Sequence, residues 1–340
     1  MSRNQVKKQY RLDCCILKGK TTSLEQFKRF VKSFHKAFIE SKNSDILINP
    51  YWYIDDTACV KIVETKFKNP HILIRSADAG NVRNEFLSLM SMLKFESTNF
   101  FTFFDGDDEI RADYFAMNLG ELANSPSNFA MCNPAAVYGI KETNYYPMKW
   151  CLTASKPNIR DLAFEDRIGG QSWGKVYKQE VSRYAMFDTG MYEDVGFWYD
   201  VVEHLPKDCC PVKFWNSVYF WHRDNPNAIT RSAGTLAYLQ DGLQNLEKAR
   251  LRALEVCDIG DPRVWRRYTF GITSLLRNAA KITDLSERKI SIKYITDNLD
   301  FGSLNFKEAM YQAPDLYDRL MESFPEFETW KSELIRIRGF

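Results

Sequence analysis

The chain has 340 residues, 45% of them hydrophobic and 14% aromatic, which is enough for one large domain with an extension or for two domains. Its 46 basic and 44 acidic residues leave a net charge of +2, which excludes a global electrostatic drive toward nucleic acid or anionic membranes but not a local basic patch. The eight cysteines include two adjacent pairs and no C-x-x-C spacing. This usage is typical of small buried residues in a reduced, cytosolic protein and disfavours a zinc ribbon.

The amino terminus is polar, and the apolar core of a signal peptide does not follow it. No apolar stretch approaches the roughly 18–20 residues that a membrane-spanning helix needs. The sequence therefore predicts a soluble, cytoplasmic protein without a transmembrane segment.

The first two hundred residues alternate between short apolar runs and helical patterns. Thr22 or Ser23 can cap the first helix, whose apolar residues recur at helical spacing from Leu24 to Phe38. Strands that alternate with helices indicate an α/β fold with a mostly parallel sheet of the Rossmann-like kind, in which ligands bind beyond the carboxyl ends of the strands. Strands are predicted at 12–17, 46–48, 70–74, 100–104 and 128–138, and further helices at 60–67, 82–93 and 112–123.

The pattern becomes helical from about residue 235 onward. Ser232-Ala-Gly-Thr235 interrupts the preceding pattern, so we place a soft boundary near 230–235. The boundary divides the chain into a domain at 1–232 and a helical extension at 233–340. The extension could serve as a platform for an acceptor substrate or in oligomerisation. Helices are predicted at 236–254, 262–276, 290–298 and 314–324.

The most informative segment is the phenylalanine-rich run at 100–104, which ends abruptly in Asp105, Asp107 and Asp108. Carboxylates this close together repel one another unless a cation lies between them. Hard oxygen ligands of this kind suit Mg²⁺ or Mn²⁺, usually shared with a substrate phosphate. The segment predicts a strand-end site for a metal-bound nucleoside diphosphate, and a solvated acidic turn is the alternative.

Two later segments offer further candidate residues. Gly169–Lys178 contains glycines that let the backbone approach a ligand, Trp173 that could stack on a sugar or base, and Lys175 that could neutralise phosphate. Glu193-Asp194 directly precedes an aromatic helix, whose amino-terminal backbone donors can orient the two carboxylates.

Five segments together resemble the family 2 glycosyltransferases of the GT-A fold, over about residues 10–231. They occur in the order and near the spacing of that family, whereas each alone is a weak match. The five are Gly80-Asn-Val-Arg-Asn84, Phe104-Asp-Gly-Asp-Asp108 (the D-x-D motif), Trp173-Gly-Lys-Val-Tyr177, Tyr192-Glu-Asp-Val195 and Tyr219–Thr230.

The resemblance implies a metal-dependent, inverting transfer of a sugar from a nucleoside diphosphate sugar, such as a UDP-sugar, to an acceptor hydroxyl. It implies that Asp107 binds Mn²⁺ or Mg²⁺, and that Asp105 holds the ribose or reaches the ion through water. It also implies that Asp194 is the general base, supported by Glu193.

The resemblance extends to residues on the donor side. Arg83 and Asn84 are expected to act there, and Arg223 and Arg231 could clamp the diphosphate. His222 is a candidate third metal ligand, although a histidine at a sheet edge that is satisfied by the backbone is equally compatible with the sequence.

The chain departs from the family at the ends of its first two predicted strands. Leu17-Lys-Gly-Lys-Thr21 stands where the family has Pro-x-Tyr-Asn, and the longer, aromatic Asn49–Thr57 replaces an Asp-Asp-Gly-Ser-like turn. Asp56, or its neighbour Asp55, could replace the carboxylate that reads the donor base. These departures leave open which nucleobase the sugar donor carries.

Several alternatives remain for the function. The acceptor is expected to be a saccharide in surface polysaccharide synthesis. A protein or a modified nucleobase in DNA is the alternative acceptor. A metal-dependent nucleotidyltransferase also uses strand-end aspartates, and Leu17–Thr21 faintly resembles its basic loop. A catalytically inactive scaffold is the third class. Arg263–Tyr268 could bind a phosphate-bearing acceptor, a membrane surface or nucleic acid, but we interpret its basic residues as the solvated face of an amphipathic helix. Glu165-Asp166 is interpreted as solvated.

Overall fold

The computed structural model describes residues 9–42, 44–75, 78–132, 135–137, 145–147, 171–206, 212–214, 218–222, 235–256, 268, 271–272, 274–276 and 278–298. The predicted helix at 314–324, most of the one at 262–276, and the candidate residues Arg223 and Arg231 lie outside these residues. Glu165-Asp166 lies outside them as well.

A seven-stranded sheet forms the centre of the protein, in the order β10-β6-β9-β4-β1-β2-β3. Every neighbouring pair is parallel except the two that involve β9. This confirms the predicted α/β fold with a mostly parallel sheet. The strands are β1 Tyr10–Lys18, β2 Ile46–Ile54, β3 His71–Ile74, β4 Asn99–Asp105, β6 Phe129–Cys132, β9 Lys175–Lys178 and β10 Val212–Phe214.

A second sheet of four short strands lies beside the carboxyl end of β4, in the order β5-β11-β7-β8. Its strand β5 follows the acidic turn after β4 directly, and it pairs antiparallel with β11. The strands are β5 Glu109–Ile110, β7 Ala135–Val137, β8 Tyr145–Pro147 and β11 Tyr219–His222.

Helices cover both faces of the main sheet because β4 supplies apolar side chains to each of them. Phe101 and Phe103 pack in the core that includes α3 and α5, whereas Phe100 and Phe104 pack in the core that includes α1 and α4. A parallel strand buried on both faces is expected to be a continuous apolar run. The helices are α1 Leu24–Ser41, α2 Thr57–Glu64, α3 Ala79–Met92, α4 Tyr114–Leu122, α5 Glu193–Glu203, α6 Leu236–Val256 and α7 Leu285–Asp297, with a 3-10 helix at Gln179–Arg183.

Two predicted strands differ from the structure. Strand β2 continues to Ile54, so the aromatic segment that we interpreted as a long turn is paired with β1 as far as Ile54 and buries Trp52 and Tyr53. Asn49-Pro50 resembles a turn signal, but Pro50 lies outside the stretch that pairs with β3. The run predicted as one strand at 128–138 is divided between β6 in the main sheet and β7 in the small one.

Helix α6 packs directly on the α/β fold, and α7 packs on α6. Helix α6 contacts α5, and Met191, which precedes α5, shares an apolar cluster with Leu243 and Leu246 of α6. No helix among the described residues is long and apolar enough to cross a membrane.

Candidate functional site

The carboxyl ends of β1, β2 and β4 meet at one edge of the main sheet. Leu17 of β1 lies opposite Asp105 of β4, and Lys18 lies opposite Ile54 of β2. The Gly106 amide donates to the Leu17 carbonyl at 2.8 Å, which closes the acidic turn against β1. This register places Asp105 and the residues that follow it at the edge where ligands of parallel sheets bind.

Arg83 joins two of the predicted motifs by ion pairs. Its guanidinium lies 2.8 Å from an Asp105 oxygen and 2.5 Å from a Glu193 oxygen, although Arg83 and Glu193 are 110 positions apart in the sequence. Burial by itself lowers the pKa of Arg83, but Asp105, Glu193 and Asp194 raise it by more, so the side chain stays charged. The structure therefore brings the acidic turn after β4 and the acidic start of α5 to one buried cation.

Glu193 shares this environment with Asp194 in the first turn of α5. Burial and the neighbouring charge of Asp194 raise the pKa of Glu193 to about 7, even though Arg83 acts in the opposite direction. The amino-terminal end of the helix favours both acids through its dipole. Glu193 is thus tied to Arg83, and the predicted role of Asp194 in proton transfer stays a prediction.

The start of α3 holds the loop that precedes α5. Asn84 donates to the Phe187 carbonyl and accepts from the Phe187 amide, both at 2.8 Å, while Asp78 accepts from the Gly80 and Gly190 amides at 2.8 and 3.0 Å. A Cβ at Gly80 would lie 1.8 Å from the Asp188 carbonyl oxygen, so only glycine fits there. The contacts of Asn84 are with the backbone of this loop, and its predicted donor-side role stays a prediction.

Asp108 connects the acidic turn to the small sheet. Its buried carboxylate accepts from the Tyr219 hydroxyl at 2.6 Å and from the His222 amide at 2.9 Å. Burial raises its pKa well above the usual range, and the charges of Asp107 and Asp105 raise it further. The acidic triplet therefore divides into a buried anchor, Asp108, and two more accessible carboxylates, Asp105 and Asp107.

His222 and the acidic turn have partners within the protein. The His222 Nε2 lies 2.8 Å from a Glu109 oxygen, and Arg29 lies 3.1 Å from the same carboxylate while donating to the Asp107 carbonyl. Among the described residues, no three side chains of His, Cys, Asp or Glu gather in a way that could hold a metal ion. The role of His222 as third ligand of an ion held by Asp105 and Asp107 therefore stays a prediction.

The two acids predicted to contact the nucleobase of the donor, Asp55 and Asp56, also have partners within the protein. Lys18, the last residue of β1, and Asp55, which follows β2, form a largely buried ion pair at 2.7 Å. Asp56 caps α2 by accepting from the Ala58 amide at 2.8 Å. Both carboxylates stand at the predicted edge, and the choice between them stays open.

Trp173 and Lys175 have different surroundings. Trp173 is half-buried and stacks on Tyr219, with ring centroids 5.0 Å apart and an angle of 13° between the rings. Lys175 is buried, lies 4.7 Å from the Trp198 ring centroid and donates to the Gln171 carbonyl. The burial of Lys175 weighs against the predicted phosphate contact, and the stacking role of Trp173 remains untested.

The position of Arg83 between Asp105 and Glu193 was not predicted from the sequence. A usable signal was present, because Arg83 lies in the same buried helical stripe as Leu87 and Met90. A charged residue in such a stripe needs a buried partner of opposite charge. The sequence could indicate that need, but it could not identify partners so distant along the chain.

Comparison with known proteins supports the fold. No family model and no curated protein matches the sequence. A crystal structure of S. aureus TarS 1-349 in complex with UDP-GlcNAc superposes with a TM-score of 0.53 at 12% identity, covering 89% of this chain and 92% of that one. A longer S. aureus TarS structure gives 0.52 at 14% identity, covering 93% of this chain and 55% of that one. The chain therefore has a fold similar to that of TarS, which agrees with the GT-A expectation.

Replacing Gly80 with alanine should displace the loop before α5. The added Cβ would overlap the Asp188 carbonyl, and overpacking of this kind costs about 1–3 kcal/mol of unfolding free energy. Urea unfolding measures the loss. Gly120→Ala is the matched control, because Gly120 lies exposed in α4 with open space around it, and alanine there should stabilise by up to about 1 kcal/mol. Equal effects of the two substitutions would contradict the close approach at Gly80.

Replacing Arg83 with methionine keeps the bulk of the side chain but removes its charge. We expect a loss of about 3–5 kcal/mol, because breaking a buried ion pair leaves its partners uncompensated. A folded-state pKa of about 7 for Glu193, above the ordinary 4.5, means that its contribution to stability is present at low pH and falls as pH rises through that interval. Without Arg83 the pKa of Glu193 rises further. The loss of unfolding free energy in Arg83→Met, relative to the wild type, should therefore increase between about pH 5 and about pH 8.

Urea unfolding of the wild type and Arg83→Met at both pH values tests this pH dependence. Arg75→Met is the control, since Arg75 forms an exposed pair with Glu85, and exposed pairs contribute little to stability. A deficit for Arg83→Met as small as that of the control, or one that does not change with pH, would contradict the buried bridge.

Proposed function

We propose that the chain is a metal-dependent, inverting glycosyltransferase that moves a sugar from a UDP-sugar to an acceptor hydroxyl. The observation that carries the proposal is the Arg83 bridge, which sets the acidic turn after β4 beside the acidic start of α5. A donor site and a base on opposite sides of one reacting carbon are what an inverting displacement needs. The similarity in fold to TarS, which has been crystallised with UDP-GlcNAc, is consistent with this function.

Asp105 and Asp107 are the residues that would hold Mn²⁺ or Mg²⁺. They follow β4 directly, both are partly exposed, and their hard oxygen atoms suit either ion. Mg²⁺ is commonly held by one or two carboxylates together with substrate phosphates, which suits these two acids with or without His222. When bound, the ion would stabilise the negative charge that develops on the leaving diphosphate.

Asp194 is the residue to which we assign the role of general base, which accepts the proton of the acceptor hydroxyl. Glu193, beside it, is bound to Arg83 and would support it by fixing the first turn of α5. The acceptor oxygen would attack the anomeric carbon as the bond to the diphosphate breaks, and its proton would pass to the Asp194 carboxylate. An ordinary carboxylate is a weak base toward an alcohol, so orientation would supply most of the acceleration.

The surroundings of Lys18 favour this function over a nucleotidyltransferase. The Lys18 ammonium is paired with Asp55 and largely buried, so the end of β1 does not offer it as a phosphate ligand. Nothing in nucleotidyl transfer requires the acidic start of α5. We propose a saccharide of a surface polysaccharide as the acceptor, with a protein or modified nucleobase as the alternative, and a cytoplasmic location.

Donor binding can be tested by thermal shift with UDP in the presence and absence of Mn²⁺. A ligand that binds only the folded state stabilises it by about 2.7 kcal/mol at one hundred times its Kd. We expect a Mn²⁺-dependent shift that Asp107→Ala removes. Asp113→Ala, in the nearby exposed pair with Arg111, should retain it. The absence of a shift in the wild type, or an unchanged shift in Asp107→Ala, would count against the donor site.

Replacing Asp194 with asparagine should strongly lower the rate of turnover without weakening UDP binding. Loss of a general base typically lowers the rate by about 10²–10⁴-fold. Release of UDP from UDP-sugars, with water as the acceptor, provides the measurement. Glu203→Gln, at the exposed far end of α5, is the control and should keep the wild-type rate. Pyrophosphate formed from UTP and a sugar 1-phosphate, with no UDP released from UDP-sugars, would favour a nucleotidyltransferase, and full activity of Asp194→Asn would overturn the assignment of the base.

A further inference from the structure

We propose that Asn245 of α6 is a positioning residue for the acidic start of α5. The inference rests on the proposed function, because it concerns how Glu193 and Asp194 are held for their roles. It also gives the helical region after residue 235 a task in the site itself. The buried amide of Asn245 carries the proposal.

Asn245 binds the backbone of the loop that precedes α5. The residue is 3% exposed, and its Nδ2 donates to the Thr189 carbonyl at 2.7 Å and to the Met191 carbonyl at 3.0 Å. These two carbonyls flank Gly190, so both N–H groups of one side-chain amide are used on a single turn of backbone. Only asparagine or glutamine offers two such donors without a charge.

Helix α3 holds the same turn through a different atom. The Gly190 amide donates to Asp78 at 3.0 Å. Asp78 also caps α3, the helix that carries Arg83. The loop is therefore fixed by a carboxylate of α3 and by the amide of Asn245 in α6.

The backbone of the turn is one that needs such support. Gly190 has φ of +78°, and a Cβ there would lie 2.5 Å from the Asp241 Cβ in α6. Tyr192, immediately before Glu193, has φ of +61° although it is not a glycine. A residue other than glycine is strained in this conformation, which persists only where its surroundings determine it strongly. If the turn relaxed, Glu193 and Asp194 would move with it.

Other contacts from α6 bind the same region more peripherally. Lys248 pairs with Asp188 at 2.9 Å and Arg252 with Asp200 at 3.0 Å, and both basic side chains are about half exposed. Exposed pairs of this kind contribute little. Asn245 differs from them because it is buried and bonded to the loop backbone, where the loss of its donors would leave two carbonyls unpaired.

Asn245→Leu, which has similar bulk and no donor, tests the proposal in the full chain. We expect the UDP dissociation constant to stay within about twofold of the wild type while kcat for UDP release from UDP-sugars falls roughly 10–100-fold, the effect of a misplaced catalytic group. Hydrogen exchange should accelerate in the peptide 187–195 and stay unchanged in β4. Ile295→Ala, a cavity in the same helical region, is the control: it should lower Tm but preserve kcat and exchange at 187–195.

The outcomes separate this inference from the proposed function. If the wild type neither binds UDP nor releases it from UDP-sugars, the proposed function is wrong, whatever Asn245 does. If the wild type is active and Asn245→Leu keeps its kcat and its exchange at 187–195, the positioning role is wrong. Parallel losses of UDP binding and kcat would also overturn it. Asn245→Ser is the second variant if Asn245→Leu does not fold, and failure of both to fold would assign Asn245 to the fold as a whole.

Discussion

The ion pairs of Arg83 with Asp105 and Glu193 are the interactions on which the rest of the site depends. A guanidinium can be buried only if carboxylates compensate it, and two carboxylates can approach each other only if a cation lies between them. The buried charge therefore couples the end of β4 to the start of α5. The function that we propose requires these two elements to act on the same reacting centre.

Close backbone approach is the second constraint, and it follows from the first. Helix α3 can present Arg83 to both partners only if its amino terminus lies against the loop before α5, which Gly80 permits. The loop is then fixed in left-handed turns at Gly190 and Tyr192, with donors and acceptors from α3 and α6 on its backbone. Glycosyl transfer by an ordinary carboxylate would depend on this rigidity, because a weak base accelerates the reaction mainly by being correctly oriented.

The sequence predicts those features that depend on local pattern and fails where distant pairing decides. Long apolar runs predict β1 and β4 correctly, whereas the ligand site at the acids after β4 stays a prediction. Strand β2 was predicted too short because Asn49-Pro50 resembles a turn, while pairing with the whole of β1 overrides that signal. The motifs placed Glu193 and Arg83 among the site residues, but their contact depends on the topology of the fold. Asn245 gave only the weak signal of an amide in an apolar stripe.

The stereochemistry of the sugar released from an α-linked UDP-sugar tests the central claim most directly. Proton NMR at early times, before mutarotation, distinguishes the two anomers of the product formed with water as the acceptor. An inverting displacement by a hydroxyl that Asp194 deprotonates predicts the β-anomer together with UDP. The α-anomer would contradict the assignment of Asp194 as a base opposite the leaving group, and a sugar phosphate together with UMP would contradict glycosyl transfer itself.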